Sequence, residues 1–404
     1  MADRDRDHPA GEPAALGKQV YRFLTRAEVL GAIYIAILCA AFLLGTRLHR
    51  NLFYVAALPP FLLALPALDW RRYASSTIAR LALAYLAYFL LSSLWSDGLT
   101  LEAFADLLRV SLLLLLFLAL TTHLATRDDR FAERLFFWFA ASAGASLLAV
   151  FAAAALGLLP FGPRFTGFGL AVHPVIGATL YGVALLVAAF ELLPRAAGWR
   201  PRLAWVAVIL LCAAFILLSG SRGPLLALAA ALVVGLAVAD RRLALGVAAL
   251  LAAGIAVGLL SDLRTIELLY TRSQSGHFEI WQQALAAIPE RPWLGHGSLA
   301  DIDFVGKDGP GRSPHNLLLA NQLYGGLPAT LLLAALLLLA ARQAWRAQRG
   351  GRPVYLVLLV FGLAASLFDT RSLVQNLGRE WITLWLPIGL LTAQESLRRG
   401  RSAS

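Results

Sequence analysis

The sequence predicts an all-α polytopic membrane protein with about 12 transmembrane helices. Three observations predict it. Hydrophobic residues make up 59% of the 404 and charged ones only 15%, against roughly 25% charged in a soluble domain. Mean hydropathy is +0.70. The apolar residues also form continuous runs along nearly the whole chain. Lipid offers no hydrogen-bond partners, so a spanning chain must be helical or a closed barrel. Unbroken runs lack the alternation of a barrel.

The elements follow in order. Residues 1–17 are polar and charged and read as a disordered tail, with no cleavable signal peptide visible. Lys18, Arg22 and Arg26 recur every four residues, with Val20, Phe23, Leu24 and Ala27 on another face. That pattern fits an interfacial helix, so 1–28 reads as one N-terminal unit. Runs of crossing length fall near 29–45, 52–68, 78–95, 104–122, 135–159, 170–193, 203–219, 223–239 and 243–260. These are spans 1–9, within 29–260. Residues 261–313 form a long connection. Spans 10–12 follow near 314–341, 353–369 and 380–396, within 314–396, and 397–404 is a tail. Cys39 and Cys212 lie inside apolar runs and read as small buried hydrophobes, without a disulfide framework.

The net charge of +11 does not point to nucleic acid, because the arginines cluster between apolar runs as topology signals. With twelve spans, 23 of the 35 lysines and arginines share the side of the N-terminus. Both termini are therefore expected in the cytoplasm. SGSRGP (219–224), the 261–313 segment and His315 then face the outer side, which in a Gram-negative cell is the periplasm.

A connection as long as 261–313 is expected to be functional. Phe278, Trp281, Leu285 and Ile288 mark one face of an amphipathic helix, and Trp281 and Trp293 suit the lipid interface. The Gly- and Pro-rich remainder reads as a mobile flap. The segment holds five basic and seven acidic residues, net −2, so anion binding there would need individual arginines.

Several residues could carry chemistry. In SPHN, Ser313 is a plausible N-cap and Pro314 fits the first helical turn. His315 would then sit in that turn, where the helix dipole disfavours imidazolium. It reads as a neutral general base or, equally, as an interfacial histidine anchoring the span. Leu319, Gln322 and Gly326 share its face, and Gly326 would let another helix approach. Arg222, in a tight Gly/Pro break, offers a fork of donors to phosphate, or else snorkels at a span end. It lies on the side where the charge rule disfavours arginine. In the long segment Arg264, Arg272, Arg291, Lys307 and Arg312 are available, with Arg272 best placed; Arg164 in FGPRFTG is a weaker candidate. Asp369 and Arg371 end the eleventh span, where the acid could orient an arginine or the histidine, or simply be exposed. Asp301 and Asp303 have the spacing of a metal pair, yet such carboxylates in a loop are more often solvated. The first outer loop, TRLHRN, carries no acid, which favours a metal-free site.

SGSRGP, then SGHFEIWQQALAAIPERPWLGHG, then HNLLLANQLYGGLPATLLL, taken in order, resembles the O-antigen ligase and polysaccharide polymerase family. The motifs cover about residues 205–340, and length and span plan most resemble the ligase branch. The resemblance implies a GT-C-type, metal-independent glycosyltransferase without cofactor. Its donor would be an undecaprenyl-pyrophosphate-linked glycan and its acceptor lipid A-core. Carried onto this chain, His315 becomes the base, while Arg222 and Arg272 bind the pyrophosphate. Asp369 matches an outer-side acid; Asn316, Gln322, Arg164 and Arg312 join as substrate-binding candidates. Many family members have an arginine where this chain has His277, so that role falls to Arg272 or His277. A polymerase or a protein O-oligosaccharyltransferase shares these motifs, though the short stretch after 396 argues against the latter. A transporter would instead carry ionisable groups near mid-span, where this chain is almost wholly apolar.

Overall fold

The computed structural model describes residue 19 and residues 21–159, 164–239, 277–306, 309–311 and 313–403. The apolar runs become helices in the order α1 (Ala27–Ala40), α2 (Thr77–Ser92), α3 (Leu101–Arg127), α4 (Phe131–Ala155) and α5 (Pro174–Val187). Then come α6 (Trp199–Leu218), α7 (Arg222–Ala239), α8 (His277–Ala287), α9 (Leu317–Arg349), α10 (Val354–Asp369) and α11 (Leu386–Ala403). Seven helices among the described residues are long and apolar enough to cross a membrane: α2–α7 and α9, with α2 extended to Trp95 and α5 to Arg195. Helices α1 and α10 are apolar but shorter.

The described residues thus carry seven clear spans where twelve are expected of the whole chain. The expected span 52–68 is broken into Thr46–Leu52, a π-helical turn Phe53–Ala57, Leu58–Leu63 and a 3₁₀ turn. Pro59, Pro60 and Pro66 lie in it, and each removes a backbone donor. The twelfth begins as a π-helical turn, Trp381–Trp385, and its continuation α11 ends in a polar, arginine-rich turn. The expected span 243–260 lies outside the described residues.

Helix α7 packs along α10, α9 against α2 and α10, and α11 against α3. Trp381 and Trp385 are fully buried among them, and the Phe117 ring lies 5.0 Å from Trp381. Helix α6 buries Cys212, Phe215 and Ile216 but exposes Leu203, Leu210 and Leu217. Their seven-residue spacing makes one stripe, an apolar face suited to lipid.

Helix α8 forms as expected, but a different stripe is inward. Ile280 and Ala284 are buried against Phe304, Ala320, Leu323 and Tyr324, whereas Phe278 and Leu285 are exposed. The helix is apolar on both faces, and tertiary packing took the smaller side chains inward. The described part of the expected flap is also more ordered than its composition suggests. A short antiparallel hairpin, β1 (Phe304–Gly306) with β2 (Gly309–Gly311), follows α8. The Gln283 amide clamps it, donating to Val305 O at 2.7 Å and accepting from Val305 N at 3.0 Å.

Candidate active site

Helix α9 begins later than the sequence suggests. Asn316, not Ser313, is the N-cap: its Oδ1 accepts from the N–H groups of Leu318 and Leu319 at 3.0 and 3.1 Å. An amide reaches both orphan donors at once, so it wins over the serine. Ser313 instead accepts from the His315 N–H at 3.1 Å. His315 therefore precedes the helix rather than riding its first turn. Its φ of 49° makes it the one described non-glycine residue in the left-handed region. Such strain persists only where surroundings impose it. Here Ser313 holds one side of the turn, and the Trp281 indole of α8 donates to Pro314 O at 2.8 Å on the other.

The second half of the site comes from the far end of α10. Asp369 is the last residue of that helix, where a carboxylate faces the negative end of the dipole. Arg379 offsets this. Its guanidinium donates to the Asp369 main-chain oxygen, capping the helix, and to Asp369 Oδ2 at 2.6 Å. The same group reaches Glu380 Oε1 at 2.6 Å. Burial works against the Arg379 charge, but Glu380 and Asp369 override it and hold its pKa above the ordinary arginine value. The other Asp369 oxygen, Oδ1, lies 3.3 Å from His315 Nδ1. A carboxylate there accepts a hydrogen bond from Nδ1–H of the neutral ring, so Nε2 carries the lone pair.

This pair borders a cavity of about 420 Å³ that Arg50, His173 and Arg371 also line. Its cationic lining includes Arg50 and Arg371, which have no carboxylate partner among the described residues. The arrangement provides an oriented base beside positive charge, suited to removing a proton near an anionic group.

The other sequence candidates are distributed around this centre. Arg222 opens α7 with its side chain exposed, outside the cavity lining. Its neighbour Gly223 packs so closely that an added Cβ would sit 2.7 Å from the Cβ of Phe368, next to Asp369. Arg164 reaches the SGSRGP turn, donating to Ser219 O at 3.2 Å and Ser221 Oγ at 3.1 Å. Gln322 donates to Pro292 O at 2.9 Å and accepts from Thr330 at 2.7 Å, tying the flap to α9. Asp301 and Asp303 are exposed in the flap. Arg272 and Arg312 lie outside the described residues, as does the side chain of His277.

Gly326 has a role the sequence did not suggest. With φ 63° and ψ −160°, it breaks α9. An added Cβ would meet Trp293 O at 2.4 Å and Gly295 N at 2.5 Å, so a loop, not another helix, approaches it. The carbonyls of Leu323 and Tyr324 accept from His296 and Gly297, and Leu327 N donates to Trp293 O. The 293–297 loop thus satisfies backbone groups that the break frees.

Arg379, Glu380, Arg50 and His173 were missed from sequence. Arg379 carried a readable signal, since the expected orientation puts it too on the side where the charge rule disfavours arginine.

The O-antigen ligase of Pseudomonas aeruginosa is 33% identical over 377 residues, covering 89% of each chain. The chain belongs to the O-antigen ligase family. A family model described as O-antigen ligase matches residues 207–334. With its several spanning helices, this family member is a multi-pass membrane protein. The family match includes Arg222, His315 and the Gly326 break, whereas Asp369, Arg379 and Arg50 lie outside it. The histidine of the candidate site thus comes from the matched segment, and its carboxylate partner from beyond.

Proposed function

We propose that this family member transfers a glycan from undecaprenyl pyrophosphate to a sugar hydroxyl of lipid A-core in lipopolysaccharide biosynthesis. The reaction would run at the periplasmic face of the inner membrane, without metal or cofactor. His315 Nε2 takes the proton of the acceptor hydroxyl, with Asp369 holding Nδ1–H. The acceptor oxygen attacks the anomeric carbon as its bond to the pyrophosphate oxygen breaks. Attack opposite the leaving group inverts the anomeric configuration. The charge gathering on undecaprenyl pyrophosphate is met by Arg222 and Arg272, joined by Arg50 and Arg371 of the cavity. Asn316, Gln322 and Arg164 shape the site through their own bonds; His277 and Arg312 remain substrate-binding candidates beside Arg272.

The carrying observation is the His315–Asp369 pair at the border of a cavity lined by Arg50 and Arg371, which have no carboxylate partner among the described residues. The GT-C-type plan of twelve spans, its division at 28, 260, 313 and 396, and the cytoplasmic termini belong to the same proposal. One fact supports the orientation. Connections and span ends expected outside supply Arg50, His173, His315 and Arg371 to one cavity. Elements expected to end inside supply Thr77, Arg342, Arg346 and Arg398 to another.

The test is reconstitution with lipid-linked glycan and lipid A-core, with and without EDTA. Transfer should survive EDTA and be abolished by His315→Ala and by Arg222→Ala, and the product should show the inverted anomer. A divalent-metal requirement would remove the base-and-arginine scheme. Loss of polymer itself, in a strain lacking the protein, would assign the chain to the polymerase branch.

A further inference from the structure

The opposite end of α9 holds a second concave site. Arg346 lies about 30 residues beyond His315, or roughly 45 Å of helix at 1.5 Å per residue. A cavity of about 410 Å³ opens there between α9, the start of α2 and the end of α11. Four arginines line it, Arg342, Arg346, Arg398 and Arg399, with Glu395 the one carboxylate among its lining residues.

Glu395 is already committed. Its Oε2 accepts from Ser76 Oγ at 2.6 Å and from Ile78 N at 3.1 Å, and its Oε1 from Arg399 at 2.8 Å. Arg342, Arg346 and Arg398 have no carboxylate partner among the described residues. Arg346 feels both Arg398 and Arg342 as like charges, against the single opposite charge of Glu395. Three cations gathered round one hollow call for an anion.

Gln343 supplies an independent sign. It lines the same cavity and is only 7% exposed, yet its Oε1 has no hydrogen-bond partner among the described residues. A buried acceptor of this kind is expected to meet a donor. The surface of α9 leading to the cavity is apolar: Leu331, Leu338 and Trp345, seven residues apart, are 59%, 70% and 46% exposed. Their spacing is that of one helix stripe, which leads from lipid-facing surface to the arginines.

We propose that this cavity binds the headgroup of an anionic phospholipid whose phosphate is flanked by a glycerol hydroxyl. The arginines would take the phosphate, Gln343 the hydroxyl, and the α9 stripe the acyl chains. The apolar approach favours a lipid over free phosphate. The proposal is independent of the role of His315.

The probe is phosphatidylglycerol added to the full chain in a neutral detergent. Native mass spectrometry would read retained lipid, and thermal unfolding the shift in Tm. Wild type should retain phosphatidylglycerol and gain stability. Phosphatidylethanolamine and inorganic phosphate should produce neither effect. The Arg346→Gln/Arg398→Gln variant should weaken retention by about tenfold or more. Gln343→Leu keeps every charge and should erase the preference for phosphatidylglycerol over phosphatidic acid. Equal retention by the double variant, or equal binding of phosphatidylethanolamine, overturns the proposal. A full Tm shift with inorganic phosphate would also overturn it, leaving a simple anion site. Should the double variant fail to fold, Arg342→Gln alone, at an exposed position, gives the same reading.

Discussion

Asp369→Asn tests the centre of the site with almost no change in shape. The carboxylate has two oxygens in use: Oδ1 lies 3.3 Å from His315 Nδ1, and Oδ2 takes Arg379 at 2.6 Å. Both neighbours donate. Asparagine has one acceptor and one donor, so it can serve only one of them. With its oxygen toward His315, its NH₂ opposes the Arg379 guanidinium. With its oxygen toward Arg379, its NH₂ faces Nδ1, and the ring proton moves to Nε2, where the base should be. A guanidinium paired on its other side with Glu380 makes the second arrangement the better one. General-base catalysis contributes about 10²–10⁴-fold, so transfer should fall by about that factor, or roughly 3–5 kcal/mol of barrier. The assay is single-turnover transfer from lipid-linked glycan to lipid A-core, with donor binding measured separately. Donor affinity should change little. A variant that transfers within about threefold of wild type would refute the orientation argument and leave Asp369 a helix-end acid.

Three further perturbations probe the supports. Trp281→Phe keeps the ring but removes the donation to Pro314 O, a loss of about 1 kcal/mol; transfer should drop several-fold while Tm barely moves. Gly326→Ala puts a Cβ 2.4 Å from Trp293 O at a φ of 63°, where the backbone penalty alone is about 1–3 kcal/mol. Hydrogen exchange at 293–297 should rise, and an unchanged pattern would contradict the assigned role of the break. Gly223→Ala overpacks against Phe368 by about 1–3 kcal/mol, lowering Tm; adding Phe368→Ala should recover part of the loss.

Much of the fold was legible because apolar runs in lipid have few structural options. The seven long helices fall where runs of crossing length stand. What failed to read through were places where backbone chemistry is negotiated locally. Prolines fragmented the second expected span, and a glycine split α9 so that a loop could dock into it. The N-terminus of α9 begins three residues later than expected because asparagine and serine both cap, and only geometry chooses between them. At the site, His315 and Asp369 were readable as polar groups at span ends. Their pairing was not, since 54 residues separate them and α10 must run back along α9 to join them. Arg379 could be read only as an arginine on the disfavoured side of the expected orientation, and its partners lay too far from any recognisable motif to be named. Its role exists only because a helix happens to end on an aspartate.

The π-helical turn Trp381–Trp385 bears on all of this. Both indoles turn back and donate to the preceding connector, Trp381 to Gln375 O and Trp385 to Leu373 O, each at 2.8 Å. That connector carries Arg371 at one end and Arg379 at the other. A π turn holds one more residue than an α turn. Its five residues turn the chain about as far as four would in an α-helix, so the extra residue is absorbed without rotating Arg379 and Glu380 off Asp369. Removing a residue from the regular helix beyond it would instead rotate everything before the deletion by about 100°. The wide turn thus takes up one residue of chain length and keeps the angle at which the arginine meets its acid.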